Sequence, residues 1–250
     1  MVMKKVFWII LCMFFTPPVT FAGNMKLHYD RPAEYFEEAL VIGNGTMGAT
    51  LYGGVKKDKI SFNDITLWTG EPESENSSPD AFNTIPEIRA LLDNEDYQGA
   101  DKAQYKVQGH YSENYQPLGT LTIEYLDDTA GISDYHRWLD IGNATARTQY
   151  LKDGKLFTSD YFASAPDSVI VIRLKSENKE GIHALLSFDS PLPHSSQVAD
   201  NEISVEGYAA YHSFPVYYKA EDKHRYDPER GIHFKTCLLY TSPSPRDGLL

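Results

Sequence analysis

The chain has 250 residues, of which 42% are hydrophobic and 23% charged, with a net charge of −12. This composition is that of an ordinary globular protein with room for one large domain or two small ones. The acidic balance argues against a nucleic-acid-binding protein, because such a surface needs a basic stripe.

The first predicted element is a secretory signal peptide. Lys4 and Lys5 precede an apolar run from Val6 to Phe15, and a site of small residues ends at Ala22. Residues 1–22 are therefore predicted to be removed during export, to the periplasm or the cell exterior. The apolar run is too short for a permanent membrane anchor. A lipoprotein signal through Cys12 is the weaker alternative, because Cys12 lies inside the apolar run.

The next motif is a G-x-G-x-x-G stretch from Gly43 to Gly48, with Asp64 roughly twenty residues after its first glycine. A dinucleotide site of this type needs a helix after the glycines, whose N-terminus binds the pyrophosphate. Apolar residues instead alternate after Gly48, and Gly53-Gly54 interrupts the run. We therefore predict two strands joined by a turn, and no nucleotide. The glycines belong either to tight turns or to a loop whose backbone lines a pocket.

Most of the remaining pattern alternates with period two, which is typical of half-buried strands. The segments are ATLYGGV, KISFND, GTLTIEYL, ARTQYL, LFTSDYFA, SVIVIRLKS, HALLSFDS and NEISVEGYA. Lys152-Asp153-Gly154-Lys155 has the signature of a two-residue hairpin turn. Most gaps are too short for the crossover helix that a parallel sheet requires. The sequence predicts a mainly β protein, an antiparallel β-sandwich or barrel.

One region, from Thr84 to Val107, is predicted to be helical. Pro86 stands in the first turn after a Thr84 cap, an arrangement common at helix starts. The apolar residues recur at helical spacing, at Ile85, Ile88, Leu91 and Leu92. We expect one or two short helices inserted into the sheet order.

Three stretches resemble the N-terminal domain of glycoside hydrolase family 95. Tyr29–Pro72 contains EALVIGNGTMGA and NDITLWTGEP, similar to the family's EALPIGNG-x-LGA and LNEDTLWSGGP. Asn114–Tyr125 is similar to its YQPLGDL strand, and Tyr135–Ser176 to its YRRELDL block. The departures are conservative, and they fall at Phe36, Val41, Met47 and Thr120.

The resemblance implies a β-sandwich domain that precedes a helical linker and an (α/α)6 barrel, acting together as an inverting α-L-fucosidase on a glycan. Some members of the family prefer α-L-galactosides. The catalytic groups of that family belong to the barrel, to which no segment of this chain is similar. We therefore assign no catalytic residue, and we expect the chain alone to be inactive.

The carboxylates and histidines suggest no independent chemistry. Glu37 and Glu38, like Asp127 and Asp128, are neighbours in sequence, and neighbours on a strand point to opposite faces. They are better interpreted as solvated surface than as the facing pair that glycoside hydrolysis needs. The eight histidines lack the spacing of a metal site. No metal ion or other cofactor is predicted.

Four residues on the family-like motifs are predicted to contact substrate: Asn44, Asn63, Trp68 and Gln116. An indole face suits the C–H surface of a sugar, and amide groups suit its hydroxyls. The alternative is that these side chains pack the sandwich and its contact with the missing barrel.

The final stretch, Cys237–Leu250, breaks with the preceding pattern and resembles the in-frame translation of a sequencing adapter. That resemblance implies a domain spanning residues 23–236 and a gene that continues beyond Thr236. The alternative is a disordered Ser/Pro linker. Two other functions stay open for the domain: a freestanding carbohydrate-binding sandwich, and a structural module without affinity for sugars.

Overall fold

The computed structural model describes residues 25–72, 80–109 and 112–241. The predicted signal peptide, residues 1–22, lies outside the described residues, as does most of the predicted tail. Within these ranges the chain forms fifteen β-strands, two α-helices and one 3-10 turn. None of the helices described is long and apolar enough to cross a membrane.

The strands account for most of the regular structure. They are β1 (Lys26–Tyr29), β2 (Leu40–Gly43), β3 (Met47–Leu51), β4 (Lys57–Asp64), β5 (Gly119–Tyr125), β6 (Ile132–Asp140), β7 (Thr145–Lys152), β8 (Lys155–Ser164), β9 (Val169–Ser176), β10 (Ala184–Asp189), β11 (His194–Ala199), β12 (Glu202–Tyr208), β13 (His212–Ser213), β14 (His224–Arg225) and β15 (His233–Leu239). The helices are α1 (Ala81–Asp93) and α2 (Tyr97–Gln104), and the 3-10 turn is Phe36–Glu38.

Two five-stranded antiparallel sheets form the body of the sandwich, with orders β1-β6-β7-β8-β9 and β10-β5-β4-β3-β2. A three-stranded sheet, β11-β12-β15, and the pair β13-β14 extend it. Buried residues of both large sheets meet in one core, among them Leu51, Ile60 and Ile123 from one and Tyr150 and Tyr161 from the other. The predicted antiparallel β-sandwich is confirmed.

The period-two pattern places the apolar residues between the sheets. In β5, Leu121, Ile123 and Tyr125 are buried, whereas the residues between them are partly exposed. Burying one such side chain contributes about 1.5–3 kcal/mol to the free energy of unfolding. A shift of one residue in the register would expose this whole set, so the alternation fixes the pairing of β5 with β4 and β10.

Both turn predictions are confirmed, because strands β3 and β4 pair antiparallel on either side of Gly53-Gly54, and the predicted Asp-Gly hairpin also forms. Asp153 and Gly154 join β7 to β8 with φ angles of 51° and 75°, the left-handed pair that a two-residue hairpin of the primed type requires. The G-x-G-x-x-G stretch forms the β2–β3 hairpin, with Gly45 at φ 96° in its loop. Strand β3 starts at Met47 and continues through Gly48, so no helix follows the glycines.

A buried carboxyl group links the two large sheets. Asp58 of β4 is 1% exposed and accepts hydrogen bonds from the Gly54 amide (2.9 Å) and from the Tyr161 hydroxyl of β8 (2.8 Å). Burial raises the pKa of Asp58 to about 6, and burial likewise raises the pKa of Tyr161. The bond therefore connects the opposed sheets at the cost of desolvating an acid.

The helical insertion is confirmed, but its start differs from the prediction. Helix α1 begins at Ala81 rather than after a Thr84 cap, and the Thr84 hydroxyl donates to the carbonyl of Asp80 (3.0 Å) from inside the helix. Pro86 therefore lies in the helix interior, where it cannot donate to the carbonyl of Phe82. Phe82 is 83% exposed, so water can reach this end of the helix. In α2, Asp96 caps the first turn by accepting from Gly99.

Strand β15 crosses the predicted domain boundary at Thr236. It pairs with β12 from Tyr208↔His233 to Glu202↔Leu239. Leu238 packs against the core, and alternation with period two continues to that residue. The strand therefore extends three residues beyond Thr236. The adapter interpretation of the tail stays a prediction.

Candidate functional site

Asn44 uses its side chain to hold the β2–β3 turn in place. Its Oδ1 accepts from the amides of Thr46 (3.0 Å) and Met47 (2.8 Å). Its Nδ2 donates to the carbonyl of Ser164 at the end of β8 (3.0 Å). Donor and acceptor are thus both engaged within the fold, which gives Asn44 a structural role whether or not it also meets a ligand.

Asn63 lies at the end of β4, opposite Gly48 of β3. Because Ile60 faces the core, alternation places Asn63 on the outer face of its sheet. Its Oδ1 is buried and has no hydrogen-bond partner among the described residues. Asn44, just after β2, and Asn63, in β4, therefore belong to the same part of this sheet, but no hydrogen bond joins their side chains among the described residues.

Trp68 and Tyr115 form an exposed aromatic pair just beyond β4 and before β5. An isolated antiparallel bridge joins their backbones, and their ring centroids are 6.4 Å apart at an interplanar angle of 58°. The two side chains are 43% and 41% exposed. Gln116 is brought to the same place, but it is only 6% exposed, and its backbone N–H donates to the carbonyl of Leu67 (3.0 Å).

The Trp68 segment, which we define as Leu67–Glu71, is anchored at nearly every residue. Leu67 is 2% exposed and belongs to a small apolar cluster with two other buried residues, Leu192 and Ala209. The Thr69 amide donates to the carbonyl of Asn114 (2.8 Å), and the Asn114 amide donates back to the Thr69 hydroxyl (2.8 Å). The segment is therefore fixed on both sides of the exposed indole.

An ion pair holds the far end of the Trp68 segment. Both carboxylate oxygens of Glu71 accept from Arg230, whose Nε lies 2.7 Å from Oε2. The Arg230 guanidinium also stacks 3.7 Å from the ring centroid of Tyr211. The hydrogen bond from Arg230 lowers the pKa of Glu71.

A second carboxylate organises the polar side of this region. Glu113 has a left-handed φ of 62°, uncommon for a residue with a side chain. It accepts hydrogen bonds from the Thr69 hydroxyl (2.6 Å), from His212 Nδ1 (2.6 Å) and from the Ser213 amide (2.9 Å). We call Thr69, Glu113, His212 and Ser213 the Glu113 cluster.

The β13–β14 pair brings a second imidazole to the Glu113 cluster. Ser213 pairs with His224 in register, and its hydroxyl lies 2.9 Å from His224 Nδ1. Asn114 Nδ2 donates to the carbonyl of Ser213 (3.1 Å), which closes the connection back to the Trp68 segment. Two short strands and two loops that are distant in sequence therefore meet at one end of the sandwich.

Sequence reasoning singled out Trp68 and Gln116 but did not single out the Glu113 cluster. Glu113 and His212 are 99 residues apart, and β13 and β14 have only two residues each, too few for a visible period. One signal was available: Glu113 directly precedes the family-like segment that begins at Asn114.

The opposite end of the sandwich has a cavity of about 60 Å³ between the sheets. Its lining includes the rings of Tyr125, Tyr150 and Phe157, with Asp127 and Lys152 at the rim. Asp127 is already paired with Lys152 at 3.6 Å. None of the predicted site residues lines this cavity, and the ranges described contain no cluster of three or more His, Cys, Asp or Glu side chains that could hold a metal ion.

Comparison with known proteins agrees with this architecture. Residues 27–243 match the family described as glycosyl hydrolase family 65, N-terminal domain. The chain is 31% identical over 221 residues to alpha-L-fucosidase 2 of Arabidopsis thaliana, covering 86% of this chain and 26% of that protein. It is 28% identical to probable alpha-fucosidase A of Aspergillus niger, covering 63% of this chain and 21% of that protein. The corresponding protein of Aspergillus oryzae is also 28% identical, with coverages of 56% and 20%.

These relatives are therefore much longer than the matched region, since the chain spans between a fifth and about a quarter of their length. The family match itself covers almost the whole described sandwich, including the Trp68 segment, the Glu113 cluster and β15. The chain belongs to the N-terminal domain family of glycosyl hydrolase family 65.

Proposed function

We propose that this chain is the N-terminal domain of an exported α-L-fucosidase of the family 95 type. In this proposal its Trp68–Tyr115 pair contacts the glycan substrate, and a separate (α/α)6 barrel hydrolyses α-L-fucosyl linkages with inversion. The α-fucosidase names of the curated relatives support a fucosylated glycan as the substrate. The signal-like pattern of residues 1–22 supports export.

The single observation that carries a sugar-binding role is the anchored presentation of Trp68. The backbone on both sides of the indole is fixed, by Leu67 in an apolar cluster and by Thr69 on Glu113 and Asn114. The ring itself is nearly half exposed beside a second exposed ring. A rigid aromatic surface binds at a lower entropic cost than a mobile one.

L-Fucose suits such a surface. It carries a methyl group in place of a hydroxymethyl group, so one side of the sugar is rich in C–H bonds and can lie against an indole or a phenol ring. The negative face of an aromatic ring attracts these weakly positive hydrogens. Hydroxyls on the other side of the sugar then need polar partners, because burying them without a hydrogen bond is unfavourable.

The hydrolytic step belongs to the barrel in this proposal. Inverting hydrolysis needs two carboxyl groups about 6.5–9.5 Å apart, one to protonate the leaving oxygen and one to activate water. Glu71 and Glu113 are two carboxylates of this region, and both are committed: Glu71 to Arg230, and Glu113 to three donors. They are better suited to fix the site than to transfer protons.

In this proposal the barrel also covers several exposed apolar side chains of α1 and of the β13–β14 loop. Phe82 of α1 is 83% exposed, and Val216 and Tyr217 of the β13–β14 loop are 89% and 80% exposed. We expect the chain expressed alone to bind a hydrophobic dye and to associate, because in this proposal the barrel covers these side chains in the longer protein.

The test of the sugar-binding role compares two alanine variants. Binding of methyl α-L-fucopyranoside to the full chain is measured by NMR titration. Trp68→Ala is expected to weaken binding at least about tenfold, the effect of losing roughly 1.4 kcal/mol of contact. Tyr35→Ala, which removes an exposed aromatic ring outside the site, serves as the matched control and should bind like the unchanged chain. Absence of fucoside binding, or equal losses in both variants, would refute the role.

A further inference from the structure

We propose that His212 is a sugar-binding residue that accepts a hydrogen bond from a hydroxyl of the fucoside lying on Trp68 and Tyr115. The inference rests on the proposed function and adds a polar, direction-dependent contact to it. Three features of the Glu113 cluster support it: the hydrogen-bonding role that Glu113 forces on the imidazole, the position of the ring, and its accessibility.

The first feature is the tautomer of His212. Its Nδ1 lies 2.6 Å from Oε1 of Glu113, and an ionised carboxylate can only accept a hydrogen bond. Nδ1 therefore carries the hydrogen, and in the neutral ring Nε2 has a free lone pair. In the neutral ring, Glu113 thus leaves Nε2 as an acceptor, the group that suits a donating hydroxyl.

The second feature is the link between His212 and Trp68. The same Glu113 carboxylate accepts from the Thr69 hydroxyl at 2.6 Å, and Thr69 directly follows Trp68. One carboxylate therefore sets the imidazole and the indole segment relative to each other. This resembles the way a histidine that acts at one nitrogen is held by a carboxylate at the other.

The third feature is access. The His212 side chain is 20% exposed, and its ring is held edge-to-face against Phe214 at a centroid distance of 4.4 Å. Nε2 makes no hydrogen bond to any residue that the structure describes. The ring is thus oriented and partly open, and among the described residues its second nitrogen has no partner.

The chemical consequence is selectivity among hydroxyl positions. Aromatic faces recognise the apolar side of the sugar and discriminate little between hydroxyls, whereas an oriented acceptor favours the hydroxyl that can reach it. A binding role for His212 therefore predicts that one hydroxyl of the sugar matters more than the others, whereas a purely structural Glu113 cluster predicts no such difference.

The test is a cycle of one substitution and a set of deoxy sugars. His212→Asn retains an N–H that can reach Glu113 in place of Nδ1–H and removes the Nε2 acceptor. Methyl α-L-fucopyranoside and its 2-, 3- and 4-deoxy analogues are titrated into the full chain by NMR. In the unchanged chain one deoxy analogue should bind about tenfold more weakly than the parent, the effect of a single hydrogen bond. His212→Asn should bind the parent about tenfold more weakly and should not distinguish that analogue from it.

Controls separate this inference from folding and from the proposed function. Urea unfolding of His212→Asn should give a midpoint close to that of the unchanged chain, and His183→Asn, a substitution at an exposed histidine, should leave all four affinities unchanged. A long-range ¹H–¹⁵N spectrum of the imidazoles should show His212 protonated at Nδ1, with the Nε2 signal moving when the fucoside is added. Fucoside binding that depends on Trp68 but shows the same deoxy profile in His212→Asn would overturn the inference and leave the proposed function standing. Absence of binding by the unchanged chain would overturn both.

Discussion

Asp58 gives the fold a pH dependence opposite to that of ordinary acid unfolding. Its carboxyl group is buried between the sheets, and burial raises its pKa from 3.8 to about 6. The folded state therefore binds this proton more tightly than the unfolded state does. The resulting penalty on stability is absent well below pH 4, grows as the pH rises through 6 and is complete above that value.

The size of the effect follows from the interval between the two pKa values. At 1.36 kcal/mol per pH unit, the interval from 3.8 to about 6 corresponds to about 3 kcal/mol in the free energy of unfolding. Most of this change, roughly 2–3 kcal/mol, is expected between pH 4 and pH 8. It is a large fraction of the stability of a typical domain.

The assay is urea unfolding of the unchanged chain and of Asp58→Asn at several pH values. The variant keeps a side-chain oxygen to accept from Tyr161 or Gly54 but has no proton to lose. Carboxyl groups with a lowered pKa, such as Glu38 and Asp140, stabilise the fold by an amount that is lost as the pH falls. They are present in both proteins, so their effect cancels when the two stabilities are subtracted. The difference in stability, unchanged chain minus variant, should therefore fall as the pH rises. A difference that is constant with pH, or that rises, would refute this reasoning.

Two further predictions concern the backbone and the end of the sandwich. Gly53→Ala should destabilise by about 2–4 kcal/mol, because the glycine has φ 71° and the added carbon would lie 2.6 Å from the Tyr135 hydroxyl. Gly154→Ala, at φ 75° with nothing within 4 Å, should lose only about 1 kcal/mol, and equal losses in urea unfolding would contradict the steric argument. Ending the chain after Thr236 removes the last three residues of β15 and should cost about 1–2 kcal/mol, whereas ending it after Thr241 should leave the midpoint unchanged. Equal stability of the two truncated chains would show that the β12–β15 pairing does not need these residues.

The sandwich could be predicted because its strands and turns are encoded by short stretches of neighbouring residues. The alternation of β5 and the Asp153-Gly154 turn each depend on a few neighbouring residues, and the structure realises both. The helix start shows the limit of such local signals. Pro86 is favoured in a first turn, but α1 extends five residues before it, and the carbonyl that Pro86 leaves without a donor belongs to Phe82, an exposed residue.

The candidate site was less predictable because it depends on contacts between distant segments. Trp68 and Gln116 lie on two different family-like motifs that the bridge between Trp68 and Tyr115 brings together, but one is exposed and the other is buried. The partner of Glu113, His212, lies on a two-residue strand beyond a third sheet. No periodic pattern joins such positions, so only the folded arrangement brings them together.

In the Trp68 segment, the residues that fix the conformation of the loop are different from the residue that is exposed to a ligand. Neighbouring residues carry the packing and the hydrogen bonds, so the side chain at position 68 contributes little to the shape of the loop that bears it. Replacement of the indole by another ring or by an amide can then change which ligand is retained while the loop keeps its conformation. Position 68 is accordingly the natural starting point for redirecting this domain toward a different sugar by directed mutagenesis.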